Sequence, residues 1–186
     1  MNIVSIRATL AFKTMPVVVF VLGLGMAAAA GLLSHREFDT GKLGVPQAIL
    51  RKPGPLDAHE WVVMRTHPQV GFDILNKSSA PVFQLAAEVS LCHHEKWDGS
   101  GYPAGLKGQA IPQSALIVAL ADVFDALSMK RPYKEPWPLD KIMAHLAAGS
   151  GVHFDPELVT VFMSILPEIL AIQGCWDDAE LKNDGS

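Results

Sequence analysis

Apolar residues follow two different patterns along the chain. From Met15 to Leu33 nearly every residue is apolar, whereas after Lys42 apolar residues recur at helical spacing between polar connections. A regular alternation of apolar and polar residues, which would indicate strands, is not evident. The pattern therefore predicts an all-α fold for the chain beyond the apolar run.

Several helices are predicted after a region of short helical pieces, broken by proline and glycine, between Leu43 and Leu56. Asp57 is a suitable N-cap for a helix that continues through Met64 to His67. The last helix begins with Asp155-Pro156, a favourable cap and first-turn pair, and extends to Ile172. The helices between these two are predicted over Val70 to Asn76–Ser79, Val82–His94, Gln113–Leu127 and Leu139–Ala148.

The segment Lys96–Pro112 interrupts this helical pattern. It is too rich in glycine and proline for regular secondary structure. Long loops within a small domain are frequently functional. We therefore expect a long glycine-rich loop between two helices, with a role in binding or chemistry.

The apolar run has three interpretations. Residues 15–33 have about the length of a membrane-spanning helix, which needs roughly 17 to 25 residues. The preceding Arg7 and Lys13 and the small residues Ala27 to Ala30 are also typical of a signal peptide. Alternatively, the run is a buried helix of the fold that leads to Asp39. We expect a cytoplasmic protein, with anchoring to the inner membrane through residues 15–33 as the alternative.

Length and charge limit the domain organisation and the class of ligand. The chain has 186 residues, 49% of them hydrophobic, which suits one well-buried domain with a terminal appendage. We expect an apolar segment over 1–33, one domain over 34–176 and a polar tail over 177–186. The formal net charge of -4 gives no reason to expect binding to a nucleic acid polymer. A phosphate-bearing ligand must then be held locally, by a metal or a few cations.

The two cysteines, Cys92 and Cys175, are far apart in the sequence. They predict neither a disulfide framework nor a cysteine-based zinc site, so a reducing compartment fits best. Cys92 precedes two histidines, but we expect it to be a small apolar helix residue rather than a metal ligand.

Imidazole and carboxylate groups that could bind divalent metal ions occur on several predicted helical segments. They are Asp39, His67, His93, His94 and Asp122. Neighbouring helix positions point about 100° apart, so His93 and His94 would each reach a different ion of a close pair. Two metals roughly 3.5 to 4 Å apart are a standard device for cleaving a phosphodiester.

A series of short motifs surrounds these candidate ligands. The series consists of Thr66-His67-Pro68 with Gly71, His93-His94-Glu95, Asp98-Gly99, Gly101-Tyr102-Pro103, Ile111-Pro112, Ala121-Asp122-Val123-Phe124-Asp125-Ala126-Leu127, Arg131-Pro132-Tyr133-Lys134 and His153-Phe154-Asp155-Pro156. In order and spacing it resembles the HD-GYP family, over residues 39–166. The resemblance implies an all-α, HD-domain-like helical bundle with a long glycine-rich GYP loop. It also implies hydrolysis of cyclic di-GMP in bacterial signalling.

The resemblance implies a metal centre and a set of ligands. Asp39 would be a catalytic carboxylate that bridges two divalent transition metal ions, iron or manganese in most members of the family. The further ligands that the resemblance implies are His67, His93, His94 and Asp122.

The resemblance also implies how the substrate is held. Lys42, with a catalytic role, would bind substrate phosphate together with Arg131 and Lys134. Gly101 and Tyr102 would contact the nucleotide, because a bare backbone can approach it and an aromatic ring can stack on it. Among the neighbouring residues, we expect hydrogen bonds that fix local structure from Asp98 and Asp125, and packing roles for Trp97 and Tyr133.

The sequence departs from the family pattern in front of Asp39. Where the family has His-Asp, this chain has Phe38-Asp39, and phenylalanine has no lone pair to offer a metal. Losing one imidazole should weaken metal affinity. His35 could substitute if residues 34–40 were helical, since it lies four residues before Asp39. The apolar run also replaces the amphipathic helices that the family has upstream.

These observations support two main hypotheses about function. The first is a metal-dependent phosphodiesterase that hydrolyses cyclic di-GMP. The second, motivated by Phe38 and the altered N-terminal region, is a non-catalytic HD-GYP module that binds nucleotide or a signalling protein partner. A truncated product with little function is a third possibility, and it would fold poorly.

Overall fold

A computed structural model describes residues 40–128 and 135–171. The α-helices in these ranges are α1 (Gln47–Leu50), α2 (Ala58–Met64), α3 (His67–Leu75), α4 (Pro81–Cys92), α5 (Gln113–Ser128), α6 (Leu139–Ala148) and α7 (Pro156–Ser164). Two short 3-10 helices cover Thr40–Gly44 and Gly108–Ala110. Residues 166–171 are also helical. The described ranges contain no strand, and the predicted all-α fold is confirmed.

Helix α2 begins at the predicted cap but ends earlier than expected. The Asp57 carboxylate accepts a hydrogen bond from the Glu60 amide, and the Glu60 carboxylate accepts one from the Asp57 amide. This capping box satisfies amides that would otherwise lack acceptors. The helix ends at Met64 instead of His67 because Pro68 has no amide hydrogen to donate to the Met64 carbonyl.

The other helices match the predicted segments, with shifts at their ends. Helix α3 begins at His67, three residues earlier than predicted, with Pro68 in its first turn. Helix α4 ends at Cys92, before the two histidines. Helix α7 ends at Ser164 because Pro167 cannot donate to the carbonyl of the preceding turn, so the predicted single helix to Ile172 is interrupted.

The main apolar core lies between α5, α6 and α7. Its buried members recur at helical spacing along α5, in agreement with the amphipathic pattern of the sequence. Ala115 and Leu146 are fully buried, and Ile142 is almost so. The complete set of buried core residues is Cys92, Ile111, Ala115, Leu116, Leu120, Phe124, Leu127, Ile142, Leu146, Phe154, Leu158 and Val159. Cys92 is thus an apolar core residue, as predicted.

Helices α3 and α4 and the 3-10 helix Thr40–Gly44 form a second packing unit, held at close range by glycines. A Cβ added to Gly41 would lie only 1.8 Å from the His67 carbonyl oxygen. A Cβ added to Gly71 would lie 2.1 Å from Ser90 Oγ on α4. Any side chain at these two positions would push the segments apart, so the glycines bring both helices and the Lys42 segment together.

Several features predicted from the sequence lie outside the described residues. They are the apolar run 15–33, the tail 177–186 and the residues Phe38, Asp39, Arg131 and Lys134. The domain boundaries at 33 and 176 therefore stay predictions. Among the helices that the structure describes, none is long and apolar enough to cross a membrane.

Candidate metal centre

His67 lies at the first position of α3 and is 1% exposed. Its Nδ1 lies 2.6 Å from the Met64 carbonyl oxygen. This is the carbonyl that Pro68 leaves without its usual helical donor, so the Nδ1–H donates to it. The bond fixes the neutral tautomer in which Nε2 carries the lone pair, and Nε2 becomes the candidate ligand atom.

His93 and His94 follow directly after the last residue of α4. His93 Nδ1 lies 2.8 Å from the Ser90 carbonyl oxygen and 3.2 Å from that of Val89, at the helix end where carbonyls need donors. His93 is the C-cap residue of α4 and keeps right-handed helical backbone angles, with φ of -67° and ψ of -13°. The two rings lie 4.0 Å apart, with an angle of 39° between their planes.

The three histidines form one cluster. The His67 ring lies 5.5 Å from the His93 ring and 4.9 Å from the His94 ring. One ring nitrogen from each histidine lies within 4.8 Å of the others, so the group could hold a metal ion. Nitrogens on opposite sides of one ion are about 4.2 Å apart, from bonds of about 2.1 Å. The donor set is therefore close to the span of a metal site, and the predicted convergence of these histidines is observed.

The electrostatic environment keeps His94 neutral. Burial lowers the pKa of His94 to about 2, and electrostatic interactions with His93, His67 and Lys42 act in the same direction. A metal ligand must offer a lone pair and therefore a neutral imidazole. His94 is held in that form throughout the physiological pH range, and Lys42 is close enough to contribute to its electrostatics.

The glycine-rich loop covers the cluster from one side. Tyr102 stacks on His94, with 4.8 Å between the ring centroids and 27° between the planes. The Tyr102 amide donates to the His94 carbonyl oxygen at 3.2 Å. A Cβ at Gly101 would lie 2.4 Å from the Lys96 amide nitrogen, so only glycine permits this approach. The long loop is confirmed, and it places Tyr102 at the cluster.

Glu95 anchors the same loop from inside the protein. It is 1% exposed, and its carboxylate accepts hydrogen bonds from three successive backbone amides, at 2.7, 3.1 and 3.0 Å. The donors are Ala104, Gly105 and Leu106. From the sequence, Glu95 is predicted only as part of the His93-His94-Glu95 motif. A carboxylate directly after two histidines was the available signal, but only the fold shows that it binds the loop.

Two loop residues have the structural roles that were predicted. Asp98 accepts a hydrogen bond from the Ser100 amide at 2.8 Å, which fixes a turn of the loop. Trp97 packs against the apolar core. The amides of Trp97 and Asp98 donate to the carbonyls of His153 and Val152, at 3.1 and 2.9 Å, and so join the loop to the turn between α6 and α7. Tyr133 lies outside the described residues.

Asp122 does not belong to the three-histidine group. It is an exposed residue of α5. The roles of Asp39, Arg131 and Lys134 stay predictions because these residues lie outside the described ranges, although Gly41, two residues after Asp39, packs on His67. The geometry therefore supports three of the five predicted ligands as one group.

A family model described as an HD domain matches residues 24–158, most of the chain. The chain belongs to the HD domain family. The match includes every residue of the three-histidine cluster and the whole loop that covers it, and it begins within the apolar run. The recognition of an HD-GYP-type domain is confirmed by this match together with the relatives.

Among curated proteins, the HD domain is similar to bacterial cyclic-dinucleotide phosphodiesterases. The 3'3'-cGAMP-specific phosphodiesterase 2 of Vibrio cholerae is 49% identical over 140 residues, covering 75% of this chain and 27% of the relative. A cyclic di-GMP phosphodiesterase of Thermotoga maritima is 46% identical over 147 residues, covering 79% of this chain and 40% of the relative. The chain thus spans less than half the length of either relative.

The fold is similar to a solved structure. A crystal structure of a cyclic GMP-AMP specific phosphodiesterase of Vibrio cholerae matches with a TM-score of 0.50 and 22% sequence identity. The match covers 70% of this chain and 36% of that one. This likeness concerns the helical architecture alone, and it agrees with the predicted bundle.

Proposed function

We propose that this HD domain is a metal-dependent phosphodiesterase whose substrate is cyclic di-GMP. The observation that carries the proposal is the cluster of His67, His93 and His94 beneath the Tyr102 loop. The similarity to cyclic di-GMP and 3'3'-cGAMP phosphodiesterases supports the same substrate class.

The three histidines would hold divalent metal, with Asp39 and Asp122 as further ligands. His67 and His93 donate to backbone carbonyls, and the lowered pKa of His94 keeps its ring neutral. Three such imidazoles suit a divalent ion such as iron or manganese. When bound, such ions supply positive charge to a phosphodiester and lower the pKa of water. We propose two ions, the number that the resemblance to the HD-GYP family implies.

The chain's own residues would bind and orient the nucleotide. Lys42 acts electrostatically on His94, which supports a role for its ammonium group in attracting substrate phosphate. Arg131 and Lys134 are proposed as further phosphate-binding cations on sequence grounds. Tyr102 would limit the space above His94 and exclude water from one side, because its ring stacks on the imidazole.

A second candidate function is a non-catalytic module that binds nucleotide or a signalling protein. The observation in its favour is Phe38, which stands where the HD-GYP family has a metal-binding histidine. A site with one imidazole fewer should hold one of its ions more weakly. The two candidates therefore differ in metal content and in turnover, and both quantities can be measured on the same sample.

The test is metal content per chain measured together with hydrolysis of cyclic di-GMP. The phosphodiesterase proposal expects about two manganese or iron ions per chain and turnover that stops with a chelator. The variant Phe38→His restores the family's imidazole and is the matched comparison. If the unsubstituted chain is inactive while Phe38→His is active, the second candidate is correct. Inactivity of both metal-loaded proteins would exclude the phosphodiesterase.

A further inference from the structure

A row of stacked side chains extends from the metal centre to the surface. The Arg65 guanidinium carbon lies 5.2 Å from the centroid of the Tyr102 ring and 5.9 Å from that of the Trp61 ring. Tyr102 in turn stacks on His94. Trp61 is 45% exposed, which is unusual for a large apolar side chain beside a candidate active site. The row is therefore accessible to a ligand whose reacting group lies at the histidines.

The charge of Arg65 is not neutralised by its neighbours. Glu60, the carboxylate of the same helix, is engaged by the Lys52 ammonium and by the Asp57 amide. Within the described ranges no carboxylate forms an ion pair with Arg65, and its guanidinium lies over the Trp61 and Tyr102 rings. Its guanidinium therefore keeps hydrogen-bond donors directed to solvent.

The position of this row relative to the histidines is fixed by the backbone. Trp61 and Arg65 are four residues apart and share one face of α2, with the Arg65 amide donating to the Trp61 carbonyl at 2.9 Å. Only Thr66 separates Arg65 from His67. The Thr66 hydroxyl donates to the Val63 carbonyl at 2.8 Å, so the junction between α2 and α3 is held by side-chain bonds as well as by the helices.

These properties match the chemistry of a purine base. Bases stack on exposed aromatic rings and on arginine planes. Guanine offers two acceptors, O6 and N7, that fit the parallel donors of one guanidinium, whereas adenine has a donor in place of O6. A lysine could supply charge but not the planar pair of donors.

We propose that Trp61 and Arg65 form a subsite that binds a guanine base of the cyclic dinucleotide, with the base stacked on Trp61 and its O6 and N7 facing the donor edge of the Arg65 guanidinium. The inference rests on the proposed function for its substrate class. Specificity for the base would then come from α2 and its C-cap residue Arg65, and α2 has no buried residues. Base recognition would be separate from the phosphate-binding role proposed for Lys42.

The experiment compares substrates with and without a base, using the full chain loaded with manganese. Arg65→Ala should lower kcat/KM for cyclic di-GMP about tenfold, the effect of losing one bidentate base contact. It should change hydrolysis of bis(4-nitrophenyl) phosphate, which has no base, less than about twofold, and it should reduce the preference for cyclic di-GMP over cyclic di-AMP. Arg65→Lys should resemble Arg65→Ala in that preference, because it keeps the charge and loses the fork.

Two further variants complete the design. Trp61→Ala should weaken both cyclic dinucleotides alike, since stacking does not distinguish bases, and Trp61→Phe should restore most of the loss. Arg51→Ala, at another exposed arginine, is the matched control and should change neither substrate. If Arg65→Ala impairs cyclic di-GMP and bis(4-nitrophenyl) phosphate equally, or impairs neither, the base subsite is excluded.

Binding measurements separate this inference from the proposed function. Calorimetric titration with cyclic di-GMP and cyclic di-AMP does not require turnover. A chain that lacks hydrolysis but binds cyclic di-GMP about tenfold more tightly than Arg65→Ala would support the subsite and overturn the phosphodiesterase. The opposite result is that the unsubstituted chain hydrolyses bis(4-nitrophenyl) phosphate, but it and every variant bind the two cyclic dinucleotides with equal affinity. That result would overturn the subsite alone.

Discussion

At the scale of single residues, backbone carbonyls orient the imidazoles of the cluster. His67 Nδ1 binds the Met64 carbonyl, and His93 Nδ1 binds the Ser90 carbonyl. In each case the acceptor is a carbonyl at a helix end. Outer hydrogen bonds of this kind fix the tautomer and the direction of a metal-binding imidazole before metal binds. Carbonyls at helix ends therefore orient these two imidazoles.

Replacing His67 by glutamine tests the metal centre directly. The amide of His67→Gln can still donate to the Met64 carbonyl, so the fold should persist, but the ring nitrogen is lost. We expect the affinity for metal to fall at least about tenfold, as for loss of one ligand interaction. Elemental analysis after dialysis should then show a lower metal content per chain. His59→Gln, an exposed histidine on α2, is the control and should keep full metal content. Equal metal content in both variants would contradict the assignment.

Cys92 provides a test that is independent of metal. Burial raises the pKa of its thiol to about 11, and the negative charges of Glu95 and Glu88 act in the same direction. The thiolate is the nucleophile, so at pH 8 only about one thiol in a thousand is reactive. Iodoacetamide should therefore label Cys92 at least about tenfold more slowly in the folded protein than in urea. Peptide mapping distinguishes it from Cys175, and rapid labelling of Cys92 in the folded state would contradict the burial.

At the scale of elements, one buried carboxylate fixes the loop above the cluster. Glu95 follows the two histidines in sequence and accepts hydrogen bonds from three amides of the loop. The histidines and the loop anchor therefore come from one short segment. This arrangement couples the position of Tyr102 to that of His94, because both are held by the residues around Glu95.

Glu95→Gln should loosen the loop without changing the size of the side chain. One carboxylate oxygen becomes an NH₂ group, which faces an amide donor and leaves it without an acceptor. The cost should be about 1 to 3 kcal/mol in the free energy of unfolding. Hydrogen exchange at Ala104, Gly105 and Leu106 should accelerate by more than the global loss of stability explains.

The control for this substitution is Glu88→Gln. Glu88 is exposed and accepts from the Ser114 hydroxyl, which can rotate to suit an amide. The free energy of unfolding of Glu88→Gln, and the hydrogen-exchange rates of its loop amides, should match those of the unsubstituted chain. Unchanged exchange in Glu95→Gln would mean that the loop is held by its other contacts.

At the scale of the whole molecule, partly buried imidazoles couple stability to pH. Burial lowers the pKa of His94 to about 2, and burial also lowers the pKa of the half-buried His153. In each case the unfolded chain binds the proton more tightly than the folded one. The stability contributed by the neutral rings is therefore complete above the unfolded pKa near 6.5 and is lost as pH falls below it.

The metal-free protein should consequently lose stability between pH 7 and pH 5. The slope from His94 should approach about 1 kcal/mol per pH unit below pH 6, measured by urea unfolding in the presence of EDTA. His94→Gln should show a shallower dependence, whereas His59→Gln should follow the unsubstituted chain. A pH-independent unfolding free energy across this range would contradict the burial of His94.

Much of the fold followed from local patterns. The period of apolar residues predicted the positions of α4 to α7, and Asp57 and Asp155 were correctly predicted as caps. The errors were at helix ends. They arose because Pro68 and Pro167 remove a single backbone donor, an effect that apolar periodicity does not register.

The sequence by itself determined that this chain is helical, which family it resembles, and which histidines are candidate metal ligands, because residue types and their spacing encode these properties directly. Only the tertiary structure decided which groups meet. It brought His67 from α3 to the end of α4 and set Trp61 and Arg65 beside Tyr102. The physical reason is that close backbone contacts at Gly41 and Gly71 set the distance between segments far apart in sequence.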